Sequence, residues 1–270
     1  PNDLDELERK LRLNQFRGGT AAVYMEPVGP ESGTTPITVE YVKGVERLCR
    51  KYGALLVFDE VVTGFRIGMA GAQGYFGVSP DLTIFGKVIA GGYPGAGGIG
   101  GKREYMKYLG AGLDSSGKKI HKALVGGTMT ANPLSCCAGY FTLEEIERTN
   151  ACQKAGQMGD RICAGLKELV KKHGLPFVVW NTGSICHLET VGTMHYQINW
   201  KKPWEIPAIL GETGVRQKEM EHMGAAYMAE GLVTLAGSRL YTSAAYTPKM
   251  IDQALACFDR VFENVAVKAD

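Results

Sequence analysis

Three short apolar runs each end at a charged residue, and this limits the fold more than any other feature of the chain. Ala21–Met25 stops at Glu26-Pro27, Leu55–Phe58 at Asp59, and Leu82–Phe85 at Gly86-Lys87. Such runs are the mark of buried strands. Between the first two, Val39, Val42, Val45, Leu48 and Tyr52 recur at helical spacing after Pro36, and Gly53 stops them. Strand, helix, strand in that order predicts an α/β fold with a mostly parallel sheet and right-handed crossovers.

The flanking segments extend this plan. Leu4, Leu7 and Leu11 mark one face of an opening helix. A glycine-rich, irregular crossover joins Asp59 to the third strand, which Lys87 closes, and Ala96–Gly101 reads as a further short strand. Asn132-Pro133 caps a helix running to about Arg148. Beyond it the pattern changes: a long helix over Cys152–His173, strands at Phe177–Trp180 and Ser184–Glu189, and a helix through Glu219 and Met223. Short strands near Leu232 and Tyr241 follow, then a last helix capped by Thr247-Pro248, with Ile251, Leu255, Phe258, Phe262 and Val265 on one face. The expected division is residues 1–150 as one domain, with 151–270 as a smaller α+β domain.

Composition excludes several classes. With 270 residues and 45% of them hydrophobic, the chain can bury a substantial core. Lys and Arg total 30 against 28 Asp and Glu, and no basic run interleaves with aromatics, so nucleic acid is not an expected partner. No stretch of eighteen apolar residues or export signal is visible, so no membrane is expected. The seven cysteines follow neither a disulfide framework nor metal-ligand spacing, and the five histidines are dispersed; reduced, buried thiols, a cytoplasmic setting and no metal are expected.

Ligands of an open parallel sheet collect at the carboxyl ends of its strands, where Glu26, Asp59 and Lys87 all lie. Singly, each has the ordinary explanation of a charge where a strand meets water. Together, an amine and a carboxylate behind adjacent buried strands suit pyridoxal phosphate: the lysine carries the aldehyde as a Schiff base and then moves a proton. The acid keeps the pyridine nitrogen protonated. Val61, two residues past Asp59, can pack on the ring. Gly126-Gly127-Thr128 offers a hydroxyl and backbone N–H groups to a phosphate. Neither G-x-x-x-x-G-K-[ST] nor G-x-G-x-x-G at a strand–helix turn is present, which speaks against a nucleotide triphosphatase and a dinucleotide-dependent oxidoreductase.

Glu26-Pro27-Val28, Phe58-Asp59-Glu60-Val61, Thr63-Gly64-Phe65-Arg66, Ser79-Pro80-Asp81-Leu82, Gly86-Lys87 and Gly91-Gly92 resemble the class III pyridoxal phosphate aminotransferases, and Gly127-Thr128 with Asn132-Pro133-Leu134 fits as well. The branch most similar is that of glutamate-1-semialdehyde 2,1-aminomutase and its relatives. The resemblance implies fold type I, with a large domain holding a mostly parallel sheet with helices on both faces, a small C-terminal domain, and a homodimer with shared active sites. It implies Lys87 as the Schiff-base lysine, Asp59 at the pyridine nitrogen, Val61 on the ring face, and Thr128 on the phosphate of the neighbouring subunit's cofactor.

Two departures bear on what the resemblance implies. The family's phosphate-binding turn and ring-stacking aromatic have no counterpart upstream of Glu26, which implies a missing N-terminal segment or a companion chain. Gly237-Ser238-Arg239-Leu240 places an arginine where the aminomutase pattern has none. It resembles the switch arginine of ω-aminotransferases, which pairs with the glutamate matching Glu26 and releases it to grip a substrate carboxylate. The expectation is therefore amino-group transfer between an amino acid and a keto acid or aldehyde, through the lysine Schiff base and a pyridoxamine form. The alternatives are an aminomutase of the glutamate-1-semialdehyde type and an inactive subunit that keeps the fold.

Overall fold

The computed structural model describes residues 2–28, 36–110, 112–113, 115–119, 121–190, 204, 206–235 and 237–265. The chain divides into two compact units, one comprising Pro1–Gly29 and Ile37–Thr149, the other chiefly Asn150–Asp270.

In the first unit the elements run α1 (Leu4–Gln15), β1 (Ala22–Met25), α2 (Val39–Tyr52), β2 (Leu55–Asp59), α3 (Gly71–Phe76), β3 (Leu82–Phe85), β4 (Gly98–Gly101), α4 (Arg103–Met106) and α5 (Pro133–Thr149). α2 is bounded as its sequence predicts: the Thr38 hydroxyl accepts from the Tyr41 N–H, and Gly53 takes a left-handed φ of 69° at the C-terminus. Its buried stripe of Val42, Val45 and Cys49 faces the sheet and α1.

The strand order is β1-β2-β3-β4. β1, β2 and β3 are parallel, with Met25 opposite Phe58 and Asp59 opposite Ile84, so Glu26, Asp59 and Lys87 follow strand ends on one edge. β4 runs antiparallel, Ile84 opposite Ile99, giving a mixed but mostly parallel sheet. The crossover expected to be irregular contains α3, which no local signal marks, because its capping carboxylate comes from Glu60.

Asp81 ties three strands together. Its carboxylate accepts from the Leu56 N–H at 2.8 Å and from the Lys102 ammonium beyond β4. Burial alone would raise this carboxyl, but the lysine and the backbone donor outweigh it and hold it below its ordinary 3.8. An unfolded chain thus takes up this proton before the folded one does, and stability falls as pH drops through the carboxylate range. Asp81→Asn is expected to lower unfolding free energy by about 2 kcal/mol at neutral pH. Urea titrations should show the gap closing in acid; a constant gap would contradict the assignment.

The second unit contains α6 (Ala151–Lys172), β5 (Val178–Thr182), β6 (Ile185–Glu189), α7 (Ile206–Ala229), β7 (Arg239–Tyr241) and α8 (Pro248–Glu263). Its sheet, β5-β6-β7, is antiparallel throughout. Leu166, Tyr227, Ile251, Phe258 and Phe262 form its core, with Tyr227 and Phe258 edge-to-face at 4.9 Å. Among the described residues no strand forms at Leu232, where one was expected, and β pairing nearby is limited to an isolated bridge of Leu235 with Arg239. There the backbone closes α7 instead: the Leu232 N–H bonds the Tyr227 carbonyl at 2.9 Å, and Gly231 adopts φ 85°.

The cysteine expectation also needs correction. Cys49, Cys163 and Cys186 are buried, but Cys136 and Cys137 are exposed, because α5 turns Ser135 and Gly139 inward instead. Among the described residues no helix is long and apolar enough to cross a membrane, and no group of three or more His, Cys, Asp or Glu side chains could hold a metal.

Candidate active site

β3 ends at Phe85, and Lys87 begins a 3₁₀ turn, Lys87–Ala90, two residues on. The sequence had Lys87 closing the strand; the structure gives it a left-handed φ of 51°, a conformation that costs a non-glycine residue roughly 1 kcal/mol. What holds it there is α5. A Cβ on Gly139 would lie 1.9 Å from the Ile89 carbonyl oxygen, and one on Gly91 would lie 2.5 Å from the Ala138 carbonyl carbon. Turn and helix therefore meet backbone to backbone. Gly139→Ala is expected to cost ~2 to 3 kcal/mol through overpacking and to displace the lysine. Unfolding of the variant at wild-type denaturant concentration would contradict the clamp.

The loop after the turn is pinned to the start of α5. Asn132 accepts from the Ser135 N–H at 3.0 Å, and the Ser135 hydroxyl donates to the Pro94 carbonyl at 2.6 Å. Lys87, Val88, Gly92, Tyr93 and Pro94 line a pocket of about 480 Å³. Tyr93 carried no assigned role in the sequence, since no motif marks it. Among the described residues no carboxylate pairs with Lys87, so its amine is not committed to a structural ion pair.

Asp59 stands one strand over. Its Oδ1 accepts from the Val61 N–H at 3.0 Å and its Oδ2 from the Tyr24 hydroxyl. Tyr24 is a residue that the sequence did not single out. Its phenol is pushed up to about 12 by the bond to Asp59 first, then by burial and by the charges of Asp59 and Glu26. Val61 reaches back to Gly86, where a Cβ would sit 3.2 Å from Val61 Cγ1, so the segment after β2 touches the residue preceding Lys87.

Glu60, next to Asp59, is 1% exposed and does structural work. Its carboxylate accepts from the Thr63 hydroxyl (2.9 Å), the Ala72 N–H (2.7 Å), and the backbone and side-chain N–H groups of Gln73 (3.2 Å each). That fixes α3 and the loop bearing Asp59 and Val61 as one piece.

The other expected site residues are more dispersed. Glu26 follows β1 on the same edge, close enough for its charge to act on Tyr24. Thr128 lies in an exposed turn in which the Thr130 N–H bonds the Gly127 carbonyl at 3.0 Å. Arg239 opens β7 in the second unit, opposite His187.

The family model described as aminotransferase class-III matches residues 3–236. The chain is 41% identical over 184 residues to glutamate-1-semialdehyde 2,1-aminomutase 1 of Staphylococcus epidermidis, covering 68% of this chain and 40% of that protein. It is 34% identical over 260 residues to glutamate-1-semialdehyde 2,1-aminomutase 2 of Brevibacillus brevis, covering 94% and 54%. The chain thus spans about half the length of these relatives. Among solved structures, an omega-transaminase from Sphaerobacter thermophilus superposes with a TM-score of 0.76 at 24% identity, over 97% of this chain and 56% of that one. A transaminase with PLP bound gives 0.77 at 23%, with the same coverage. At these identities the likeness shows the fold, which is that of PLP-dependent transaminases.

Proposed function

Because the chain belongs to the class-III aminotransferase family, we propose that it carries the lysine and the acid of a pyridoxal phosphate-dependent amino-group transfer. The observation that carries this reading is the pairing of two strand ends. Asp59 presents a carboxylate at the last position of β2, and Lys87 lines the pocket after the neighbouring parallel β3.

The residues present suit the cofactor. Lys87 has no ion-pair partner among the described residues, Asp59 is an acceptor held from two sides, and the space a Cβ on Gly86 would fill lies against Val61. When bound, pyridoxal phosphate supplies an aldehyde that takes up amino groups and a ring that accepts electron density. Lys87 would hold that group and would move a proton with its amine; its left-handed turn, clamped on α5, would fix where the amine reaches. Asp59 would hold a proton at the ring nitrogen by a charge-assisted bond. Val61 would pack against the ring, and Tyr93 lines the pocket beside Lys87.

Residues 1–150 act as the C-terminal portion of the large domain and 151–270 as the small one. Thr128 serves the phosphate of a neighbouring subunit's cofactor in a homodimer, while Glu26 and Arg239 meet the substrate carboxylate. The substrates are a small amino acid and a keto acid or aldehyde. A second reading, an aminomutase, is favoured by the named sequence relatives at 34% and 41% identity. Mixing protein and cofactor with an amino donor and measuring keto acid release separates the two. One equivalent of keto acid per site supports transfer between substrates, and none, with isomerised product instead, supports the mutase. Failure to bind the cofactor even with the segment that supplies the phosphate-binding turn present would sink both.

A further inference from the structure

Tyr24 lies on β1 opposite Val57, so Asp59 is its diagonal neighbour two residues along β2. Two residues along a strand advance it roughly 6.6 Å and adjacent strands lie about 4.8 Å apart, a separation that takes a long side chain with a terminal donor to bridge. Tyr24 bridges it: its hydroxyl donates to Asp59 Oδ2. Tyr24 as a whole is 57% exposed, so burial gives the side chain little reason to lie there.

We infer that Tyr24 is a positioning residue for the cofactor-facing carboxylate, an inference that rests on the amino-transfer reading above. The Val61 N–H holds Oδ1 and the Tyr24 hydroxyl holds Oδ2, which together fix the plane of the carboxylate. A carboxylate has about four lone-pair sites, so two remain for the ring N–H. With the phenol removed, Asp59 keeps one anchor and can rotate about its side-chain bonds. The carboxylate would then spend less time aimed at the ring nitrogen. Turnover depends on that aim, whereas recognition of the amino donor does not.

The test begins on the cofactor-free chain with ring-labelled tyrosines, the Tyr24 resonance being identified by its loss in Tyr24→Phe. The phenol is expected to remain protonated at pH 11, where exposed tyrosines have ionised, and Asp59→Asn should return it to the ordinary range near 10. Ordinary titration in the wild type, or indifference to Asp59→Asn, would overturn the contact while leaving the amino-transfer reading intact.

Pyridoxal phosphate is then added until its absorbance saturates. Binding should move the Tyr24 titration downward, because the ring N–H takes up part of the Asp59 charge. An unmoved titration with cofactor bound overturns the positioning role alone; no cofactor absorbance, even with the segment that supplies the phosphate-binding turn present, overturns the inference together with the reading beneath it. In the loaded enzyme Tyr24→Phe should lower kcat roughly 10-fold, less than the ~100-fold cost of an ångström-scale misplacement, with KM for the amino donor unchanged. Unaltered kcat, or a rise in KM with kcat preserved, would also refute the positioning role.

Discussion

Lys87→Ala is expected to lower turnover at least ~1,000-fold, about 4 kcal/mol of transition-state stabilisation. Two functions leave with the amine. On the proposed reading the substitution removes the group that would hold the aldehyde covalently, and it removes the proton carrier, which by itself contributes about 100- to 10,000-fold. The fold should survive, because Lys87 makes no ion pair among the described residues that its loss would break. Alanine also relieves no clash and opens no core cavity, as the clamp on α5 is made by Gly91 and Gly139 backbone. The variant should therefore unfold at the wild-type urea midpoint while losing activity. Loss of both together would place Lys87 in the structure instead of the chemistry.

Asp59→Asn is the second large effect. The amide is nearly the same shape and keeps an acceptor for the Val61 N–H, so local packing is preserved. On the proposed reading it removes the negative charge that would hold a proton on the ring nitrogen, and the ring would then be a weaker electron acceptor. A loss of one preorganised electrostatic partner costs ~100- to 1,000-fold in kcat, about 3 to 4 kcal/mol. Steady-state kinetics on cofactor-saturated enzyme checks this. Turnover within threefold of wild type would exclude a role for Asp59 in holding the ring proton.

Much of the fold was legible in the residues because local signals and tertiary needs agree. The apolar runs ending at Glu26 and Asp59 are strands within a residue of expectation, and Thr38 and Gly53 bound α2 as capping chemistry requires. Where they failed, the cause was a partner distant in sequence. α3 has Ala70 at its N-cap and draws its acceptor from Glu60, twelve residues before Ala72. Lys87 sits in a turn and not at the strand's last position because Gly91 and Gly139 bring α5 against it, a contact spanning nearly fifty residues. The strand sought near Leu232 gave way to the end of α7.

The candidate site divides in the same way. Asp59 and Lys87 could be read from the sequence because each follows a buried parallel strand, and such strand ends gather on one edge. Tyr24 could not be, since its contact with Asp59 exists only through the register that sets the two diagonal to each other. Glu60 stood in the recognised run Phe58–Val61, yet only the structure shows four donors converging on it. Arg239 lies in the other compact unit, and substrate kinetics are its direct test.

One experiment decides the matter most directly: reduce the protein with borohydride in the presence of pyridoxal phosphate, digest it, and locate the modified peptide by mass spectrometry. A single phosphopyridoxyl group on Lys87, absent from Lys87→Ala and present in Asp59→Asn, is the expected result. Modification scattered over surface lysines, or undiminished in Lys87→Ala, would contradict the assignment of this lysine and the amino-transfer chemistry built on it.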